Sequence, residues 1–321
     1  MKYFTALLLA TSTCASALAD TFPQKAVSLI VPFAAGGPTD VVARHVALAM
    51  GKSLGQPVVV ENRPSAGGIV GTEAVVRAEP NGYTLLIHNV GMSTLPALSR
   101  TLRFDPLRDF DYIGQVAEVP MTLVGRKDLA AANFTELRAY LAANTRKVNL
   151  ANAGIGTASH LCGLMLMSQL KIQMTTIPYK GAAPAMTDLQ GGQVDVLCDQ
   201  ITTTLQPIAT TRVRAYASTT RTRLTALPEL PTLNEQGVKD FEVTVWHGIY
   251  APRNLPKDVS ARLVKALQDG VADATFRESM QKLGAVPASK EQATPEGLAI
   301  HLRNEVSRWT PVIKAAAAYI D

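Results

Sequence analysis

The sequence predicts an α/β chain in two domains, each a mainly parallel sheet flanked by helices. Short apolar runs alternate with helix-length segments along most of the chain, the order that builds a parallel sheet covered by helices. About 300 residues follow a leader-like start, enough for two domains of ordinary size. Two long extended segments, near Pro120 and near Trp246, sit where a chain would leave one domain and return to it. Two crossings make a hinge, and the cleft between hinged bodies is a favoured place for a ligand. The expected division is 20–122 with 245–321 as domain 1 and 123–244 as domain 2.

The elements follow in order. Val27–Val31 reads as a strand and Pro38–Ser53 as a helix stopped at Gly55. Pro38 suits a first helical turn, and Asp40 puts an acid there. Val58–Val60 is the next strand. The glycine pair Gly67-Gly68 then leads into a helix over Ile69–Ala78, and Tyr83–His88 is a strand. The second set begins with Met121–Val124, followed by a helix over Phe134–Asn144 and a strand at Val148–Ala151. A glycine turn, Asn152 to Thr157, precedes a helix over Ala158–Gln169. Thr175–Pro178, a helix at Ala183–Gln190, and strands at Val194–Cys198 and Arg214–Ser218 complete this set. Phe241–Ala251 is extended, and helices then dominate at Lys257–Ala272, Ala274–Leu283 and Pro295–Tyr319.

Residues 1–19 start with Lys2, continue through an apolar core and end in Ala17-Leu18-Ala19, the pattern of a secretory signal peptide cleaved near Ala19. The apolar run is shorter than the roughly 20 residues that span a bilayer, so the mature chain is expected to be exported and not itself membrane-spanning. A net charge of +5 over 321 residues, with no basic block, gives no nucleic-acid footprint. Cys162 and Cys198 remain in the mature chain. Both lie in apolar stretches, so buried free cysteines are the favoured reading over a disulfide.

The segment Pro32 to Asp40 joins a strand to a helix through Gly36-Gly37, and Gly154-x-Gly156 does the same in the second set. Glycine turns before helices present unpaired N–H groups and a partial positive charge to an anion. Gly-Pro-Thr-Asp replaces the Gly-Lys-Ser/Thr that a phosphate-binding Walker loop requires, and no G-x-G-x-x-G is complete, so a nucleotide is disfavoured. There is no G-x-S-x-G elbow, and no histidine or cysteine spacing suits a metal. Ser159, His160 and Asp199 invite comparison with a catalytic triad. Adjacent helical residues point about 100° apart, however, which puts Ser159 and His160 out of reach of each other. Asp199, at a strand end, either caps a helix or demands a hydrogen bond from a bound solute. Trp246 either packs at the hinge or touches the ligand.

At these residues the chain resembles the Bug-type periplasmic substrate-binding proteins of tripartite tricarboxylate transporters. Pro32-Phe33-x-x-Gly36-Gly37-x-x-Asp40 is similar to the family's P-F-x-P-G-G-x-x-D signature. Asn62-Arg63-Pro64-x-Ala66-Gly67-Gly68-x-x-Gly71, Pro80 to Thr84, Gly154-x-Gly156-x-x-Ser159-His160-Leu161 and Pro178 to Gly181 agree in order. Gly192 to Asp195 with Asp199, and Trp246-x-Gly248-x-x-Ala251-Pro252, complete the series. The resemblance implies a type II periplasmic-binding-protein fold closing on a small carboxylate, a di- or tricarboxylate, without a cofactor or catalysis. It implies a monomer in the periplasm that delivers its solute to one large and one small membrane subunit. Carried over by motif, Phe33, Ala34, Ala35, Gly36 and Thr39 form one side of the site with Asp40 capping, and Asn89 borders it. Gly156, Thr157, Ala158, Ser159 and His160 approach from domain 2, Asp199 orients the solute, and Trp246 joins the set.

Two departures stand out. Ala35 replaces the family's proline, which removes a φ restraint and restores an N–H donor. His88-Asn89-Val90-Gly91-Met92 replaces a run of small hydroxylated residues, which points to a flatter, aromatic carboxylate of phthalate type. An exported α/β hydrolase, or a periplasmic sensor acting on a signalling kinase, are the alternative functions left open.

Overall fold

One 17-residue strand, β4 (Phe110–Arg126), organises the molecule. The structure, a computed structural model, describes residues 22–316. The expected signal peptide at 1–19 and the end of the last helix lie outside the described residues.

Before β4 come β1 (Val27–Val31), α1 (Pro38–Leu54), β2 (Val58–Asn62), a single 3-10 turn at Ala66–Gly68, α2 (Ile69–Val76), β3 (Thr84–His88) and α3 (Gly91–Leu98). After it run α4 (Phe134–Ala143), β5 (Asn149–Asn152), α5 (Ala158–Leu170), β6 (Thr175–Pro178), α6 (Ala182–Gln190), β7 (Val196–Gln200), α7 (Ile201–Ala209) and β8 (Val213–Ser218). The chain closes with β9 (Thr244–Pro252), α8 (Lys257–Ala272), α9 (Ala274–Lys282), β10 (Val286–Pro287) and α10 (Pro295–Ala316).

The strands form one curled sheet in the order β2-β1-β3-β9-β4-β7-β5-β6, with β8 and β10 also pairing to β4. Parallel triplets, β2-β1-β3 and β6-β5-β7, sit at the two ends. The expectation of a mainly parallel sheet holds for the triplets, whereas β9 and β4 run antiparallel to their neighbours. Residues 110–120 of β4 pair with β9, and from Met121 onward the strand pairs with β7 and β8. Pro120 marks the changeover, where a residue without an N–H costs the ladder least.

The return passage lies where β9 begins. Thr244 pairs with Pro120 and Trp246 with Glu118, so Trp246 sits just inside the half built on β3 and the first part of β4. Thr219 Oγ1 donates to Val243 O at 2.6 Å, and its N–H donates to Met121 O at 3.0 Å.

Packing follows from residue spacing. On α1, Val42, Val46, Met50 and Leu54 with Ala43 and Ala47 recur at helical spacing and are buried. Gly55, in the left-handed region at φ 74°, ends the helix with its N–H on Gly51 O. Asn133 caps α4 by accepting from Glu136 N–H, and Asp273 caps α9 by accepting from Phe276 N–H. α8 presses Gly270 against Ala49 of α1, where an added Cβ would lie 3.3 Å from the alanine methyl.

The Cys162–Cys198 pair corrects the reading as free thiols. The two are joined in a disulfide between α5 and β7, with Cα atoms 6.2 Å apart. Their separate apolar runs, read alone, gave no sign that the fold brings them face to face.

Candidate functional site

Two loops meet face to face. The first, between β1 and α1, is held by Asp40. The N–H of Gly36 (φ 77°) and Arg44 Nε each donate to Asp40 Oδ2 at 2.9 Å. Asn62 Nδ2 donates to Asp40 Oδ1 at 2.9 Å and to Phe33 O at 3.1 Å. Burial raises the Asp40 pKa, but hydrogen bonds from Arg44, Gly36 and Asn62, with the Arg44 charge, more than offset it, and the carboxyl lies below its ordinary value. Asp40 therefore acts inside the loop, and its neighbour Thr39 faces inward. Thr39 Oγ1 accepts from Asn89 Nδ2 at 3.1 Å and lies 3.3 Å from His247 Nε2. Burial drives His247 down to about 3, so this imidazole is neutral.

The second loop, between β5 and α5, has Gly154 at φ 121° and Gly156 at φ 84°, backbone states that L side chains rarely adopt. Asn152 Oδ1 accepts from Gly154 N–H at 3.0 Å, and Thr157 Oγ1 donates to Gly154 O at 2.7 Å. Thr157 also caps α5 by accepting from His160 N–H. His160 turns back to accept the Gly156 N–H on Nδ1 at 3.3 Å, a role that needs a neutral ring, and burial lowers its pKa accordingly.

Between the loops lies a cavity of ≈ 20 Å³, room for little more than one water molecule. Phe33, Gly37, Pro38, Thr39 and Asn89 line one side. Ala153, Thr157, Ala158, Ser159, Gly181, Ala182, Asp199 and Gln200 line the other. The walls touch: Thr94 Oγ1 of α3 donates to Gly156 O at 3.0 Å, and Gly181 abuts the Ala34 backbone. The halves are closed on each other.

Four helix starts converge on this space. Pro38 and Thr39 open α1, Ala158 and Ser159 open α5, Ala182 opens α6, and Gln200 immediately precedes α7. Gly37, Gly181 and Gln200 provide no side-chain cap, so first-turn N–H groups stay available. The lining contains no lysine or arginine. Its positive character comes from helix ends, as an anion site requires.

Polar side chains complete it. Ser159 Oγ and Gln200 Oε1 are buried with no hydrogen-bond partner, and so is Asn152 Nδ2 beneath the second loop. Asp199 is 1% exposed and accepts from Thr203 Oγ1 at 2.6 Å. Burial pushes it up to about 6 despite hydrogen bonds from Thr203 and the Gln200 N–H. Ser159 makes no hydrogen bond to His160, whose Nδ1 is engaged on Gly156, so no nucleophile–base pair exists here.

Of the residues expected from sequence, Phe33, Thr39, Asn89, Thr157, Ala158, Ser159 and Asp199 line the cavity. Ala34, Gly36, Asp40, Gly156 and His160 build its loops without lining it, and Ala35 is exposed at the loop's outer edge. Trp246 does not line the cavity. It is 2% exposed in the core, edge-on to His301 of α10 with ring centroids 4.9 Å apart. His88 is likewise buried, edge-on to Phe33, and leaves only Asn89 of its run at the cavity. The sequence reading missed Gly37, Pro38, Ala153, Gly181, Ala182 and Gln200. Gly37 and Gly181 stood within quoted motifs, and Gln200 offered only its position after Asp199.

Among the described residues no helix is long and apolar enough to cross a membrane. Comparison with known proteins then shows what surrounds this geometry elsewhere. The description "Tripartite tricarboxylate transporter family receptor" matches residues 42–317. A UPF0065 protein of Agrobacterium vitis, from the TAR-I ttuE-ttuC' intergenic region, is 44% identical over 92% of this chain and 86% of its own length. The structure of the periplasmic binding protein BugD is 48% identical, with a TM-score of 0.91, covering 93% of this chain and 99% of its own. MatC from Rhodopseudomonas palustris, solved with bound malate, is 35% identical with a TM-score of 0.87, covering 91% of this chain and 100% of its own.

Proposed function

This chain belongs to the tripartite tricarboxylate transporter receptor family, and we propose that it captures a small di- or tricarboxylate between its two loops for delivery to a large and a small membrane subunit. The observation that carries this is the convergence of four helix starts on a cavity without a basic side chain. Such a site holds a carboxylate through backbone N–H groups. Ser159 Oγ and Gln200 Oε1, both unpartnered, supply further polar contacts, and Asp199 favours a solute that offers a donor beside its carboxylate. MatC holds malate, a hydroxylated dicarboxylate, which agrees with this class. An aromatic dicarboxylate has one ring to stack on, Phe33, and ranks second.

The closed cavity is too small for such a solute, so binding requires opening. We assign the movement to residues 20–122 with 245–321 against 123–244, with Pro120–Met121 and Val243–Thr244 as the hinge. Export to the periplasm through residues 1–19 completes the proposal, and the receptor works as a monomer without turnover.

Thermal-shift screening of the mature chain against mono-, di- and tricarboxylates, aromatic ones included, tests it. A solute at 100 times its Kd stabilises by about 2.7 kcal/mol. Stabilisation by none of the panel rejects the proposal, and turnover of a panel member replaces it with an enzyme.

A further inference from the structure

We propose that the Cys162–Cys198 disulfide is a positioning element of the carboxylate pocket, in addition to stapling the fold. The inference rests on the function proposed above. Cys198 immediately precedes Asp199 and Gln200, and Cys162 follows Ser159 by three residues, one helical turn along α5. The bridge thus joins the strand end that carries two lining residues to the helix start that carries Ala158 and Ser159.

The sheet explains why a covalent tie is needed there. The ladder between β5 and β7 pairs Leu150 with Val196 and Ala151 with Leu197, and goes no further. Beyond Leu197 only β4 flanks β7, through Leu123, Thr122 and Met121 opposite Cys198, Asp199 and Gln200. The side of β7 that faces the second loop therefore loses its backbone ladder at Cys198, where the sulfur bridge begins. The hydrogen bonds that shape the second loop run among Asn152, Gly154, Gly156, Thr157 and His160 and do not reach β7. Ser159 Oγ has no partner to hold it. The disulfide sets the spacing between Ser159 and Asp199. Both cysteines are buried, at 1% and 0% exposure, so the bond is shielded from solution thiols and serves as a fixed strut.

The test compares the wild type, the Cys162→Ser/Cys198→Ser variant and a Leu137→Ala variant. Leu137 is buried in α4, which contributes nothing to the cavity, so it lowers stability without touching the pocket. Amide exchange is read without solute over Ala158–Leu161 and Gln200–Thr202, and Kd is read with malate and with the strongest carboxylate of the panel. The strut predicts exchange on the order of tenfold faster at both segments than in Leu137→Ala. It also predicts Kd weakened by about tenfold, a loss of about 1.4 kcal/mol. Exchange and Kd equal to those of Leu137→Ala, with only the melting temperature lowered, overturn the proposal, as does faster exchange with unchanged Kd. If the serine pair does not fold, Cys162→Ala/Cys198→Val refills the space with apolar atoms and takes its place. Should no carboxylate bind the wild type, the functional reading fails by itself, and unchanged exchange still overturns the strut.

Discussion

Asp40 and Asp199 are both nearly inaccessible, at 2% and 1% exposure, yet burial acts on them with opposite results. Asp40 has Arg44, Asn62 and the Gly36 N–H, and stays ionised as a loop clasp. Asp199 has no cation beside it and is pushed up to about 6. A folded-state value above the unfolded one means the native state holds more protons, so stability falls as pH rises from about 4 to about 6. Asp199→Asn removes this loss. Its stability relative to wild type is expected to grow across that window and then level off, by on the order of 3 kcal/mol, in urea melts at pH 4, 5, 6 and 7. A constant difference across the window contradicts the assignment. Ser159→Ala deletes a buried hydroxyl without an internal partner. We expect an unchanged or slightly raised melting temperature, with carboxylate binding weakened by about 1 kcal/mol or somewhat more, read by calorimetric titration.

The disulfide and the Gly181 turn carry predictions for the elements around them. The bridge closes a stretch of 36 residues, which in the chain-entropy account stabilises by about 4 kcal/mol, so the serine pair should lower the urea midpoint by a corresponding amount. Gly181 precedes α6 at φ 128°, and an added Cβ would lie 3.1 Å from the Ala34 N across the cavity. Gly181→Ala is expected to hold the walls apart and weaken carboxylate binding at least tenfold while the protein stays folded. Strong, regularly spaced elements were legible in the sequence. β1, β6 and α8 have the boundaries expected of them, β1 from its short apolar run and α8 from Val259, Leu263, Ala266, Leu267 and Val271, which recur at helical spacing and are buried. α3 and α7 were missed because each is short and contains a proline, Pro96 and Pro207, which argues against a helix interior. The loops of the site were legible as glycine turns. The packing of Trp246 was not legible because one strand position fixes neither the face nor the depth of a side chain, and the disulfide was not because sequence carries no distance between α5 and β7.

In the whole molecule, charge is distributed so that an anion is met by backbone. The chain has a net charge of +5, yet no lysine or arginine reaches the cavity, and the helix starts of both halves do that work together. Neither half encloses the site alone. The solute should therefore act as the bond between the halves, and small-angle scattering should show a smaller radius of gyration with the binding carboxylate than without it. An unchanged radius would mean that the hinge at Pro120 and Thr244 does not move. The claim beneath all of this is that backbone N–H groups at helix starts hold the carboxylate charge. Calorimetric titration of the mature chain with the strongest panel dicarboxylate, and with its diamide of nearly the same shape, tests that claim. Two hydrogen bonds to the charged carboxylate at about 1.5–3 kcal/mol each predict that the diamide binds at least about 100-fold more weakly. Equal affinity for the two compounds would contradict it.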